Sequence, residues 1–122
     1  MEPTVLIYGV EGASAKRLRE LIAKKGVRAR AVRAEEYAES VGAMCRVLKK
    51  TGAAPTGAEM SPMLVFCGCA PRQLDMLLAE IKTACLCPDA LRAVMTGTNA
   101  VWSGERLCAE LERERAGMEG KK

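Results

Sequence analysis

The sequence predicts an α/β fold: a small open four-stranded, mostly parallel sheet in strand order 2-1-3-4, with helices packed on it, built from two β-α-β-α pseudo-repeats. Three observations predict it. Val5-Leu6-Ile7-Tyr8-Gly9-Val10 reads like Leu64-Val65-Phe66-Cys67-Gly68-Cys69, each an apolar run with glycine at its fifth position. Each run precedes a helical pattern with aligned leucines, Leu18, Leu21 and Ile22 against Leu74, Leu77 and Leu78. Each half then carries the same tripeptide, Arg30-Ala31-Val32 and Arg92-Ala93-Val94. Strands alternating with helical stretches of this length imply parallel β-α-β units. One domain spans residues 1–122, with halves at 4–50 and 63–116 and a connector at 51–61.

The elements follow in order. Thr4–Val10 is almost continuously apolar, the pattern of a strand buried on both faces. Gly12-Ala13-Ser14 is a turn with Ser14 placed to cap the next helix, whose inner stripe is Ala15, Leu18, Leu21 and Ile22 and whose stop is Gly26. Val27–Val32 alternates, with Arg28 and Arg30 on one side, as an edge strand wet on one face would. Glu35-Glu36-Tyr37 leads into a second helix with Ala38, Val41, Met44, Cys45 and Leu48 as its stripe. Thr51–Ser61, with Gly52, Pro55 and Gly57, reads as a flexible connector.

Met63–Cys69 is the second apolar strand, and Pro71 suits the first position of the third helix, where no N–H is needed. Pro88 closes that helix, Ala90–Thr96 is the fourth strand, and Thr96-Gly97-Thr98-Asn99 is a turn. Trp102, Ser103 and Leu107 have the spacing of a hydrophobic staple around an N-cap. The two most apolar strands, the first and third, belong at the centre of the sheet, which yields the 2-1-3-4 order.

Composition narrows the chemistry. The 122 residues contain no histidine, so Ser–His and Cys–His nucleophile pairs are excluded. Residues 1–50 carry eleven Lys/Arg against six Asp/Glu, while residues 51–122 carry eight against nine. The basic excess is a solvated face with an arginine-guarded edge strand, or a patch for a polyanion. No aromatic residues interleave these charges, which argues against nucleic acid. The N-terminus lacks a basic n-region, no apolar run reaches membrane-span length, and the expected location is the cytoplasm, with six reduced cysteines.

In an open parallel α/β sheet a ligand sits beyond the carboxyl ends of the strands where their order reverses, here between the first and third strands. That expectation gathers Ser14, Arg72, Thr96, Thr98 and Asn99 as the polar lining of a cleft for a small anionic ligand or a protein partner, with no catalytic residue and no cofactor. Gly9-Val10-Glu11-Gly12-Ala13-Ser14 lacks the Gly-Lys pair of a phosphate loop. Cys67-x-Cys69 and Cys85-x-Cys87 suggest a metal site, but a helix of about fourteen residues rising about 1.5 Å each separates the pairs, so no metal is expected. The alternative to a binding cleft is a thiol-based enzyme or redox sensor using Cys67 or Cys69. The second and fourth strands are both edges, through which a homodimer could form.

The stretch from Leu64-Val65-Phe66 through Gln73-Leu74-Asp75 to Thr96-Gly97-Thr98-Asn99-Ala100-Val101-Trp102 resembles a bacterial domain family of unknown function, number 3783. Its most specific part is Thr96-x-Thr98-Asn99-Ala100-x-Trp102, with Gly97 where that pattern has proline. The Leu6-Ile7-Tyr8 strand, Gly26-Val27-Arg28, Tyr37 and Gly42 extend the resemblance into the first half. It implies a group and no activity.

Overall fold

A computed structural model describes residues 2–57 and 59–119. The chain runs β1 (Thr4–Tyr8), α1 (Gly12–Lys24), β2 (Arg28–Ala31), a 3₁₀ turn (Ala34–Glu36), α2 (Val41–Met44), β3 (Met63–Cys67), α3 (Pro71–Thr83), β4 (Leu91–Val94), a second 3₁₀ turn (Asn99–Val101) and α4 (Gly104–Glu119). The strands form one open sheet in the order β2-β1-β3-β4. The apolar strands are the central ones, as their residue pattern requires: every residue of β1 and β3 is buried.

The sheet is mixed, which corrects the mostly parallel expectation. β1 pairs parallel with β2, and β3 parallel with β4, but β1 and β3 run antiparallel, Thr4 opposite Cys67 and Tyr8 opposite Met63. The reason lies between β2 and β3. A full-length second helix would carry the chain once across the sheet and start β3 beside the start of β1. The structure instead has a single helical turn, Val41–Met44, with Leu48 exposed, and the connector makes the return journey. The excursion leaves and re-enters at one end: Val32 N donates to Ile7 O at 2.9 Å, and a Cβ on Gly9 would lie 2.7 Å from the Met60 carbonyl oxygen.

The connector is therefore tied down. The Glu39 carboxylate accepts from Thr51 N (2.9 Å), Thr51 Oγ1 (2.9 Å) and Gly52 N (3.0 Å), and Thr56 and Ser61 bond to Glu105 and Glu112 of α4. A buried carboxylate with three donors is tolerated because each of its oxygens finds a partner.

Alternation along the strands sorts the core into two faces. Val5, Ile7, Leu64 and Phe66 pack against Leu18 and Ile22 of α1 and Leu77 and Ile81 of α3. Leu6, Tyr8, Met63, Val65 and Cys67 pack on the other face against Val41, Met44, Leu107 and Cys108. Two close approaches fix the second face. A Cβ on Gly104 would lie 2.5 Å from Cε2 of Tyr8, and one on Gly42 would lie 2.9 Å from the Ala100 carbonyl oxygen. The Tyr8 ring is fully buried, 6.0 Å from the Tyr37 ring, and its hydroxyl has no hydrogen-bond partner among the described residues.

Caps are mixed in outcome. Ser103 does cap α4, accepting from Arg106 N at 3.1 Å, with half-buried Trp102 and buried Leu107 both on the same core cluster. Ser14 caps nothing, because α1 begins two residues earlier at Gly12 with Glu11 as its N-cap. No helix among the described residues is long and apolar enough to cross a membrane.

Candidate functional site

The antiparallel junction dissolves the cleft expected between the carboxyl ends of the first and third strands. Those ends now point in opposite directions, so Ser14, beyond β1, lies at one end of the sheet, and Arg72, Thr96, Thr98 and Asn99 lie at the other. Arg72, in the first turn of α3, and the Thr96–Asn99 turn do share an end, because β3 and β4 are parallel. Within that turn Asn99 is already committed. Its Oδ1 accepts from Thr96 N (2.8 Å), its Nδ2 donates to Val94 O (3.1 Å), and its own N–H donates to Thr96 Oγ1 (3.2 Å). Asn99 orders its own turn.

The thiols separate as well. Cys67 ends β3 and is fully buried on the face that holds Leu6 and Tyr8, while Cys69 packs against the opposite cluster with Phe66 and Leu74. Gly68, with φ of 69°, turns the chain between them, so they do not share one strand face. Burial first, then the Cys45 and Cys69 thiols, push the Cys67 thiol far above its ordinary range, and burial raises that of Cys69. A nucleophilic thiol needs the opposite shift. Cys108 is likewise pushed up to about 11, by burial and then by Glu112. Among the described residues no three His, Cys, Asp or Glu side chains come together to hold a metal.

The feature that sequence reading did not assemble is a basic cavity at the free edge of β2. It has a volume of about 520 Å³ and is lined by Arg28, Ala29, Arg30, Arg46, Leu48 and Lys50, with Ala43. Arg28 and Arg30 come from β2 itself; they sit two residues apart and so share one face. Arg46 and Lys50 arrive from the turn that follows α2. Arg30 is held in place at both terminal guanidinium nitrogens, Nη1 donating to Met44 O (2.8 Å) and Nη2 to Glu36 Oε2 (2.7 Å). Lys50 Nζ donates to the same Glu36 oxygen at 2.9 Å. Burial would raise the Glu36 carboxyl, but the hydrogen bonds from Lys50 and the Arg33 amide and the charge of Arg30 outweigh it and hold the pKa below the usual range. Glu36 thus neutralises about one of four cations. Arg28 reaches only the exposed Glu2 carboxylate at 3.9 Å.

Arg46 adopts φ of 68°, a conformation that residues with a Cβ take only at a cost. The run Arg28-x-Arg30 was visible as a basic edge; what hid the site was the out-and-back path that returns Arg46 and Lys50 to it.

A second cavity, of about 420 Å³, lies beside β4 between Leu74, Leu78 and Lys82 of α3 and Phe66, Arg92 and Val94 of the sheet. It is mainly apolar, and Val94 is half exposed.

The fold and the cavity define a small α/β domain with a cationic edge. Residues 62–118 match the model of the family described as Domain of unknown function (DUF3783), a match that covers β3 through α4. The basic cavity lies outside the matched segment. Neither the curated proteins nor the solved structures contain a match to this chain.

Proposed function

We propose that the protein is a small cytoplasmic binding module without catalysis, and that it takes an anionic ligand in the basic cavity at the β2 edge. The observation that carries this reading is the convergence of Arg28, Arg30, Arg46 and Lys50 on one cavity, where Glu36 pairs with Arg30 and Lys50 and the exposed Glu2 reaches Arg28 only at 3.9 Å. Clustered cations in a concave, partly desolvated site attract anions more strongly than the same charges spread over a surface. Arg30 is pre-ordered by Met44 and Glu36, which lowers the entropy lost on binding. The protein is further proposed to be bacterial, and the two β-α-β units to be diverged copies of one unit.

The test is titration with inorganic phosphate and pyrophosphate, followed by the amide resonances of Ala29 and Ala43 and by melting temperature. Saturable shifts at both amides are expected, with pyrophosphate the tighter ligand. The double variant Arg46→Ala, Lys50→Ala should lose them. Equal shifts in wild type and double variant, or none at all in wild type, would sink the assignment. Two observations weigh against the thiol alternative: Cys67 is sealed in the core, and burial raises the pKa of both Cys67 and the half-buried Cys69, away from the thiolate form.

A further inference from the structure

We infer that the natural occupant of the basic cavity is an extended acidic peptide that adds to β2 as a fifth strand. This rests on the anion-binding reading above and specifies its ligand class.

The backbone of β2 supplies the first half of the argument. Arg28 N donates to Pro3 O at 3.0 Å and Val32 N donates to Ile7 O at 2.9 Å, so this parity of residues spends its main-chain groups on β1. The alternate residues, Ala29 and Ala31, therefore aim N–H and C=O away from β1, and among the described residues no strand neighbours that side of β2. Ala29 is itself part of the cavity wall. Unpaired donors and acceptors along an edge are a template for another strand.

The side chains supply the second half. A strand laid along this edge would place alternate residues on the face where Arg28, Arg30, Arg46 and Lys50 stand, at a spacing of about 6.6 Å. Carboxylates at every second position would meet those cations. Strand and charge then select together: main-chain bonds provide register, and the cations choose the side chains.

Other polyanions satisfy less of the site. A phosphodiester can accept from the Ala29 N–H, but it has no donor for the Ala29 and Ala31 carbonyls. A peptide has both. No aromatic side chain lines the cavity to stack a base. A second copy of this chain pairing through its own β2 would set arginines against arginines, which like-charge repulsion opposes.

The experiment uses the full chain and a fluorescein-labelled hexapeptide that alternates glutamate with valine, capped at both ends, read by fluorescence anisotropy. Two N-methylated forms complete the set, one methylated at the glutamate amides and one at the valine amides. A strand presents only one parity of amides to β2. One methylated form should lose about tenfold or more in affinity, as expected for about two hydrogen bonds, and the other should bind within about twofold of the parent. Replacing glutamate by lysine should abolish binding, and NOEs should link peptide protons to the amides of Ala29 and Ala31.

If both methylated forms bind like the parent, the strand-addition inference is wrong while the anion site stands. If neither peptide nor inorganic phosphate binds, both readings fall together. If a single-stranded oligonucleotide binds more tightly than the acidic peptide, the ligand class is overturned.

Discussion

Replacing Tyr8 by phenylalanine is expected to stabilise the protein. Tyr8 is completely buried, and its hydroxyl has no hydrogen-bond partner among the described residues. Burial first, then the Cys67 and Cys45 thiols, raise its pKa far above the ordinary phenol range, so the group stays neutral and its cost is that of a desolvated dipole. Such a group costs about 1–3 kcal/mol when buried unpaired. Phenylalanine keeps the ring, its contact with Gly104 and its packing against Tyr37, and gives up only the oxygen. Subtracting a small loss of packing leaves a net gain of about 1 kcal/mol, or an upward shift of roughly 3–5 °C in melting temperature for a domain of this size. Urea denaturation of wild type and Tyr8→Phe, with unchanged m-value, is the assay. Destabilisation by more than about 0.5 kcal/mol would refute the reasoning, because it would mean the hydroxyl makes a bond worth more than its desolvation.

Arg46→Gly should raise stability by about 0.5–1 kcal/mol, because glycine takes φ of 68° without the steric cost, while lowering phosphate affinity; a chemical melt paired with a titration separates the two effects. Glu36→Gln should destabilise the fold by about 1–2 kcal/mol at neutral pH, through loss of its charge-assisted bonds, while freeing Arg30 and Lys50 and so tightening anion binding. The Glu36 pKa is depressed in the folded protein, so its contribution is present above the usual carboxylate range and is lost as pH falls through the folded value; stability measured from pH 7 to pH 3 should fall less steeply in Glu36→Gln. Thiol labelling under native conditions should modify exposed Cys85 quickly and Cys67 only on unfolding; fast labelling of Cys67 would restore the redox reading.

Strand order was readable because burial is written into residue type: Thr4–Tyr8 and Met63–Cys67 could only be central, and the arginines of β2 marked an edge. Strand direction was not, because it depends on where the chain goes between β2 and β3. The stripe Ala38, Val41, Met44, Cys45, Leu48 has helical spacing, yet only one turn forms. Gly42 sits against Ala100, and Val41 and Gly104 bond to Trp102 and Glu39 across the chain, so tertiary contacts override the local pattern. That single difference moved the site. Ser14 and Thr96 parted, while Arg46 and Lys50, which carried no motif, met Arg28 and Arg30.

The junction of β1 with β3 also sets a folding order. Each β-α-β unit closes contacts between neighbours in sequence, whereas the central pair joins Thr4 to Cys67 and Tyr8 to Met63. Loop closure over that distance must precede the central pairing, so this pairing is expected to form after the two local units. During synthesis β1, the most apolar stretch of the first half, emerges long before its partner exists. The basic residues that follow it in the chain, from Lys16 to Arg33, would keep this nascent half soluble while it waits.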